Sequence, residues 1–256
     1  MKFDQPEILI QLYSVHQNLL TDYAGTLKRL RQAGATHAEL YWFDAQPDIS
    51  DMKQIFSDSG IQPRAMHVNL QTLSQAMPRV IDTCHHLTIG DVIMPWIAPE
   101  LRDGRNGWHQ LSLQLGTWGR TLRSEGIDFG YHNHDFEFAP GNDELPMKML
   151  LDATHVEPVF WEIDTYWVKF AGQDVLDWLQ QYGARIRAMH FKDHRAGRMV
   201  ELGTGDLPWK QIIHRISSLP IKYWILEQEQ FSTPDPWGEL ARGLAYLRSC
   251  RAQMDL

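Results

Sequence analysis

Ile127-Asp128-Phe129-Gly130-Tyr131-His132-Asn133-His134-Asp135-Phe136-Glu137-Phe138 begins as a short apolar strand and ends in side chains able to hold a metal. A strand that breaks into polar groups delivers them at its C-terminal end, which is where parallel α/β folds place their chemistry. Outward from this stretch, apolar runs of strand length alternate with longer helical patterns. Strands are expected at 8–15, 38–42, 64–69 and 92–96 before it, at 128–134 within it, and at 159–165, 186–192 and 223–227 after it. Helices are expected at 23–33, 51–59, 73–87, 108–124, 145–154, 175–182, 209–217 and 236–250. Gly34, Gly60, Gly126 and Gly183 stand as C-terminal stops. Pro78 marks an offset start or a kink in its helix. Eight strands alternating with eight helices imply parallel strands joined by right-handed crossovers, closed into a (β/α)8 TIM barrel. With no linker or composition shift, residues 1–256 read as a single domain. The connection 97–107 is the longest early one and suits a lid over a site.

The formal net charge is −8 and the pI about 5.8. With no basic run, a nucleic-acid surface is not expected. Cys84 and Cys250 stand far apart with no metal spacing and read as free thiols in a reducing compartment. The sequence shows no signal peptide and no apolar stretch long enough to span a membrane, so a cytoplasmic protein is expected.

In a closed parallel barrel the strand ends form a short roster of candidates. They are Tyr13, Ser14 and His16; Glu39 and Tyr41; His67 and Asn69; Trp96; His132, His134 and Glu137; Glu162, Asp164, Tyr166 and Trp167; His190, Lys192 and Asp193; Glu227 and Glu229. Alternation puts Glu162 with Asp164, His190 with Lys192, and Glu227 with Glu229 on shared faces. Singly these have plain roles: Glu39 can fill a polar mouth, and Lys192 can pair with Glu162 or Asp193. Together they crowd carboxylates at four consecutive strand ends, which is costly unless a cation neutralises them. Carboxylates mixed with imidazoles suit one divalent ion, Mn²⁺ first, with Co²⁺, Mg²⁺ and Zn²⁺ as alternatives. Trp42, Trp96 and Trp167 would line a pocket, although core packing serves Trp42 equally well. Gly203-Thr-Gly-Asp offers two glycines for an anion nest.

The order and spacing of these motifs resemble the sugar isomerase/epimerase superfamily with the xylose-isomerase-like TIM barrel. That group includes keto-sugar 3-epimerases, inosose isomerases and dehydratases, and the barrel of endonuclease IV. The resemblance runs through Gln11-Leu-Tyr-Ser-Val, Gly130-Tyr-His-Asn-His-Asp-Phe-Glu-Phe, Glu162-Ile-Asp-Thr-Tyr-Trp, Ala188-Met-His-Phe-Lys-Asp, Glu201-Leu-Gly-Thr-Gly-Asp and Ile225-Leu-Glu-Gln. It implies a metal held by Asp164, His190 and Glu227. The family's fifth-strand Glu is replaced by Tyr131 or His132, so His132 is taken as the fourth ligand, with His134 as alternate. Glu137 and Trp167 match substrate-contacting positions, and Lys192 lies near an Arg of the epimerases. His67 and Glu162 are candidates to touch substrate or to orient His190.

The family's reaction removes a proton next to a carbonyl through an enediolate, between two metal-bound glutamates. Here one glutamate of that pair is missing. Glu227 remains as base, with Lys192 or His134 as acid. The implied function is a metal-dependent isomerase or epimerase of a sugar or keto-sugar. A dehydratase or lyase acting on a keto-sugar or inosose is the alternative, and a non-catalytic sugar-binding barrel a third reading. The expected partner is a small carbohydrate, with no nucleic acid or membrane; barrels of this group are often homo-oligomers.

Overall fold

The computed structural model describes residues 5–43, 46–102, 104–139 and 144–255. Eight parallel strands close into a barrel: β1 (Glu7–Gln11), β2 (His37–Tyr41), β3 (Gln62–His67), β4 (Asp91–Met94), β5 (Asp128–His132), β6 (Val159–Asp164), β7 (Ile186–Phe191) and β10 (Tyr223–Leu226). They run β1-β10-β7-β6-β5-β4-β3-β2 around the ring. Between β7 and β10 a two-stranded antiparallel ribbon is formed by β8 (Asp193–Arg195) and β9 (Arg198–Val200). No helix among the described residues is long and apolar enough to cross a membrane. Cys84 and Cys250 are free thiols, as expected, and both are buried.

Strand alternation divides the side chains into two sets. Residues such as Ile8 and Ile10 face the helices and join the outer core. Leu9, Ala65, Ile93, Ala188, Tyr223 and Ile225 fill the barrel interior, with Phe160 packed against them. Gly130 is required at this level. A Cβ there would come within 2.4 Å of the Phe160 ring, which faces it across the β5–β6 pair. One alternation higher the interior turns polar, with Gln11, Glu39, His67, His132, Glu162 and His190 all buried.

The barrel floor carries its own charge pair. Asp91 is fully buried. It accepts from Lys222 Nζ at 2.6 Å and Tyr223 Oη at 2.8 Å, and Arg187 Nε lies 3.2 Å away. Asp91→Ala strands these donors and is expected to cost about 2–4 kcal/mol of folding stability. Lys222 and Arg187 are each about a third exposed, so water offsets part of the loss. The urea unfolding midpoint measures it.

Several elements differ from expectation. The first strand stops at Gln11 and continues as a 3₁₀ turn, Leu12–Val15. The helix expected at 73–87 is two helices, Leu70–Gln75 and Met77–Leu87, meeting at Ala76. Pro78 lies in the first turn of the second helix, where its missing N–H costs nothing. The helix expected from 108 already begins at Gly104, after a 3₁₀ turn at Pro99–Leu101, which shortens the expected lid; its residue 103 lies outside the described residues. A helix at Thr165–Phe170 was not expected. Nor was the ribbon. Its turn residues Ala196 and Gly197 both take positive φ, 50° and 78°, the geometry of a tight hairpin turn that usually announces itself as Asn-Gly or Asp-Gly.

Candidate active site

β2, β3, β5, β6 and β7, and the residue that follows β10, each deliver a side chain to one buried chamber above the apolar interior. His190, at the end of β7, is its centre. Its Nδ1 lies 2.8 Å from Glu227 Oε2. Its Nε2 lies 2.8 Å from Glu39 Oε2 and 3.1 Å from Glu162 Oε1. Glu162 Oε1 also meets His67 Nε2 at 2.7 Å and His132 Nδ1 at 3.0 Å. Gln11 donates to Glu39 Oε2 at 2.7 Å. Lys192, almost wholly buried, places Nζ 3.2 Å from Asp164 Oδ2, 2.8 Å from Glu227 Oε2 and 2.7 Å from Glu229 Oε1.

Asn133 ties the ends of β5 and β6 together. Its Oδ1 accepts from Trp161 Nε1 at 2.9 Å and from the Asp164 backbone N–H at 3.0 Å. Asp164 itself caps the unexpected helix, accepting from Trp167 N–H through Oδ1 at 3.1 Å. That fixes the carboxylate with Oδ2 turned toward Lys192 and His132.

Burial governs the electrostatics, and neighbouring charge decides which groups resist it. Burial, reinforced by Glu162, pushes Glu39 up to about 7. Burial also acts on Glu162, but the His190 and His67 imidazoles pull it well below the usual carboxylate range. Burial pushes Asp164 up to about 6, against the pull of Lys192. Glu227 is held well below its ordinary value because Lys192 and His190 outweigh its burial. His190 and Lys192 are held well above theirs by the surrounding carboxylates, again against burial. Burial, with His190 adding to it, drives His132 down to about 3. His132 is therefore neutral near pH 7, whereas His190 would release its proton on holding a metal.

A divalent ion fits this donor set. Asp164, His190 and Glu227 each offer a ligand atom within 4.8 Å of the other two. Asp164 Oδ2 is buried without a well-aligned hydrogen bond. Glu39 and Glu162 face the opposite nitrogen of His190, the arrangement that fixes tautomer and ring orientation behind a liganding imidazole. His132 adjoins this trio, with Nε2 3.7 Å from Asp164 Oδ2. It also belongs to a second buried group, with His67, Glu162 and His190.

Above the chamber lies a cavity of about 460 Å³, lined in part by Tyr13, Tyr41, Trp42, Asn69 and Trp96. His67, His132, His134, Lys192, Glu227 and Glu229 also reach it. His67 and Trp96, both expected at the site, thus reach this cavity. His134 packs its ring against Phe136 and Trp167, and its buried Nδ1 has no hydrogen-bond partner.

Two expected substrate contacts lie outside the lining of this cavity. Glu137 is fully buried behind the wall, accepting from Tyr131 Oη and, at 2.8 Å, from the His134 backbone N–H. Burial raises it to about 8, so it carries a proton near neutrality. Trp167 is not among the lining residues; its ring lies 5.7 Å from Lys192 Nζ. Conversely, Glu39, whose plain role is to fill a polar mouth, lies inside the chamber against His190. Glu229, Tyr13, Tyr41 and Asn69 join the lining, and each already stood at a strand end in the sequence.

The expected anion nest is filled from within. Asp193 Oδ2 accepts from Gly203 N–H and Gly205 N–H, both at 2.9 Å, and from Trp209 Nε1 at 2.8 Å. Asp193→Ala leaves these donors without their acceptor, at an expected cost of about 2–4 kcal/mol. Hydrogen exchange should then show lost protection at Gly203 and Gly205.

A closed parallel barrel with an imidazole–carboxylate chamber at its C-terminal mouth defines a TIM barrel whose chemistry sits at the strand ends. The chain belongs to the xylose isomerase-like TIM barrel family, whose profile matches residues 27–250. It is similar to an inosose dehydratase of Clostridium perfringens, 25% identical over 108 residues, covering 42% of this chain and 36% of that one. An inosose dehydratase of Mesomycoplasma hyopneumoniae is 31% identical over 101 residues, covering 39% and 33%. The matched stretch thus spans about a third of those relatives. Among solved structures, a sugar phosphate isomerase/epimerase from Parabacteroides distasonis superposes with a TM-score of 0.81 at 21% identity, covering 95% of this chain and 94% of that one. An L-ribulose 3-epimerase does so with 0.75 at 16%, covering 98% and 96%. The IolI protein with bound zinc gives 0.70 at 12%, covering 97% of each. At these identities the structures speak for the fold.

Proposed function

We propose that this protein is a divalent-metal-dependent isomerase or epimerase of a sugar or keto-sugar, working by proton abstraction next to a carbonyl. The observation that carries the reading is Glu227. It is an ionised carboxylate that reaches both the ligand trio and the cavity. Asp164, His190 and Glu227 would hold the ion, with His132 beside them. Mn²⁺ is the first choice for this mixed oxygen–nitrogen set, with Co²⁺, Mg²⁺ or Zn²⁺ as alternatives. The ion would polarise the carbonyl and stabilise negative charge on its oxygen.

Glu227 takes the proton from the carbon next to that carbonyl. Glu39 and Glu162 hold His190 in place from its far nitrogen. Lys192 Nζ or the His134 ring, both at the cavity, returns a proton to the substrate, and the proton held on Glu227 then restores the donor. The aromatic wall of Tyr13, Tyr41, Trp42 and Trp96 excludes water and packs on the apolar face of the sugar ring. A second reading, elimination of water from a keto-sugar or inosose, is favoured by two observations. A histidine stands at β5 where a second glutamate would make the pair symmetric, and the sequence relatives are inosose dehydratases.

The experiment is elemental analysis of the purified protein, followed by incubation with Mn²⁺ and keto-sugars or inososes in D₂O. Bound metal with deuterium incorporated next to the carbonyl is the expected result. An unchanged skeleton then means isomerisation or epimerisation, and loss of one water means elimination. Neither metal nor exchange would sink both readings and leave a sugar-binding barrel.

A further inference from the structure

Lys192 places its ammonium between the same two carboxylates that the metal would use, Asp164 at 3.2 Å and Glu227 at 2.8 Å. The third carboxylate it touches, Glu229 at 2.7 Å, is not part of the ligand trio and is about a third exposed at the cavity wall. Resting on the metal-centre reading above, we propose that Lys192 is a resident cation that competes with the metal for Asp164 and Glu227, and that Glu229 is the carboxylate to which the ammonium withdraws when a metal binds.

The argument is one of charge and space. Two cations cannot share carboxylate oxygens at hydrogen-bond distance without strong repulsion, least of all where burial weakens screening. The Lys192 stem is enclosed, since only 1% of its side chain is exposed, so the head group must keep a carboxylate partner as it moves. Asp164 is pinned by Trp167 N–H and stays with the trio. Of the three carboxylates at Nζ, Glu229 is the one left for the ammonium alone. Lys192 therefore keeps the carboxylates paired in the metal-free protein and lowers affinity for the metal. In the loaded protein it stands beside Glu229, against the cavity, where a substrate oxygen would meet it.

The test is Mn²⁺ affinity of the full chain, read by calorimetric titration and by the electron paramagnetic resonance of free Mn²⁺, for wild type, K192M, E229Q and the double variant. K192M should bind Mn²⁺ at least about tenfold more tightly, the scale of one charge-assisted hydrogen bond. E229Q, at the rim and so safe for folding, should bind about tenfold more weakly. In the double variant the E229Q penalty should vanish, because Glu229 acts through Lys192; a general charge effect would persist there. Mn²⁺ binding by K192M but not by wild type also supports the proposal. Equal affinities across the set, or an E229Q penalty undiminished in the double variant, would overturn the proposal while the metal centre stands. No Mn²⁺ binding by any of the four would overturn both. Should K192M fail to fold, E229Q alone decides, with unchanged affinity counting against the proposal.

Discussion

Asp164→Asn is expected to strip the protein of bound divalent metal and to lower deuterium exchange into a keto-sugar by at least about a thousandfold, the scale of losing a Lewis acid from the reaction. The substitution is nearly isosteric and keeps an oxygen for the cap on Trp167 N–H, so the helix at Thr165–Phe170 should survive. What changes is Oδ2, buried and poorly partnered next to Lys192 and His132. An amide nitrogen there offers no lone pair and brings two more donors into a cluster already rich in them. His190→Ala should have the same effect on metal retention, through loss of the imidazole at the centre of the chamber. Elemental analysis after desalting checks both. Normal metal content in the two variants would remove these residues as the centre.

Glu227→Gln is expected to leave the fold intact, to weaken metal binding and to reduce proton abstraction by about 10²–10⁴-fold, the usual contribution of a positioned base. The measurement is deuterium incorporation at saturating Mn²⁺, so that weakened binding and lost chemistry are read apart. Lys192 keeps Asp164 and Glu229 as partners in this variant, which limits the damage to the site. An active Glu227→Gln at saturating metal would move the base to another residue.

Much of this architecture could be read from the chain, because it rests on local signals. Alternating apolar runs marked every barrel strand within a few residues. The polar residues following them, His132, Asp164, His190 and Glu227, do meet in one chamber. What the local signals do not carry depends on contacts between distant parts of the chain. Glu39 reaches His190 only because the barrel closes, across 151 positions in sequence. The helix at Thr165–Phe170 is six residues long and is started by a residue that also serves the site. The ribbon turns on Ala196-Gly197, which lacks the usual Asn or Asp. Glu137 reads as a substrate contact by its motif, and the structure places it outside the cavity lining. Its burial follows from the 3₁₀ turn at Phe136–Phe138, which folds the carboxylate back on Tyr131 and His134.

The carboxylate of Asp193, which gathers the amides of Gly203 and Gly205, has a consequence for traffic through the mouth of the barrel. An amide cradle that waits for a free anion is shaped anew each time its guest arrives or departs. Here the guest is covalently part of the chain and never leaves. The stretch after β9 is therefore a fixed jamb rather than a swinging door, and its form does not depend on how full the chamber is. Elsewhere on the mouth, after β1 and β4, Tyr13 and Trp96 stand half exposed at the cavity. The mouth thus joins a stretch tethered by its own carboxylate to a lining of aromatic rings.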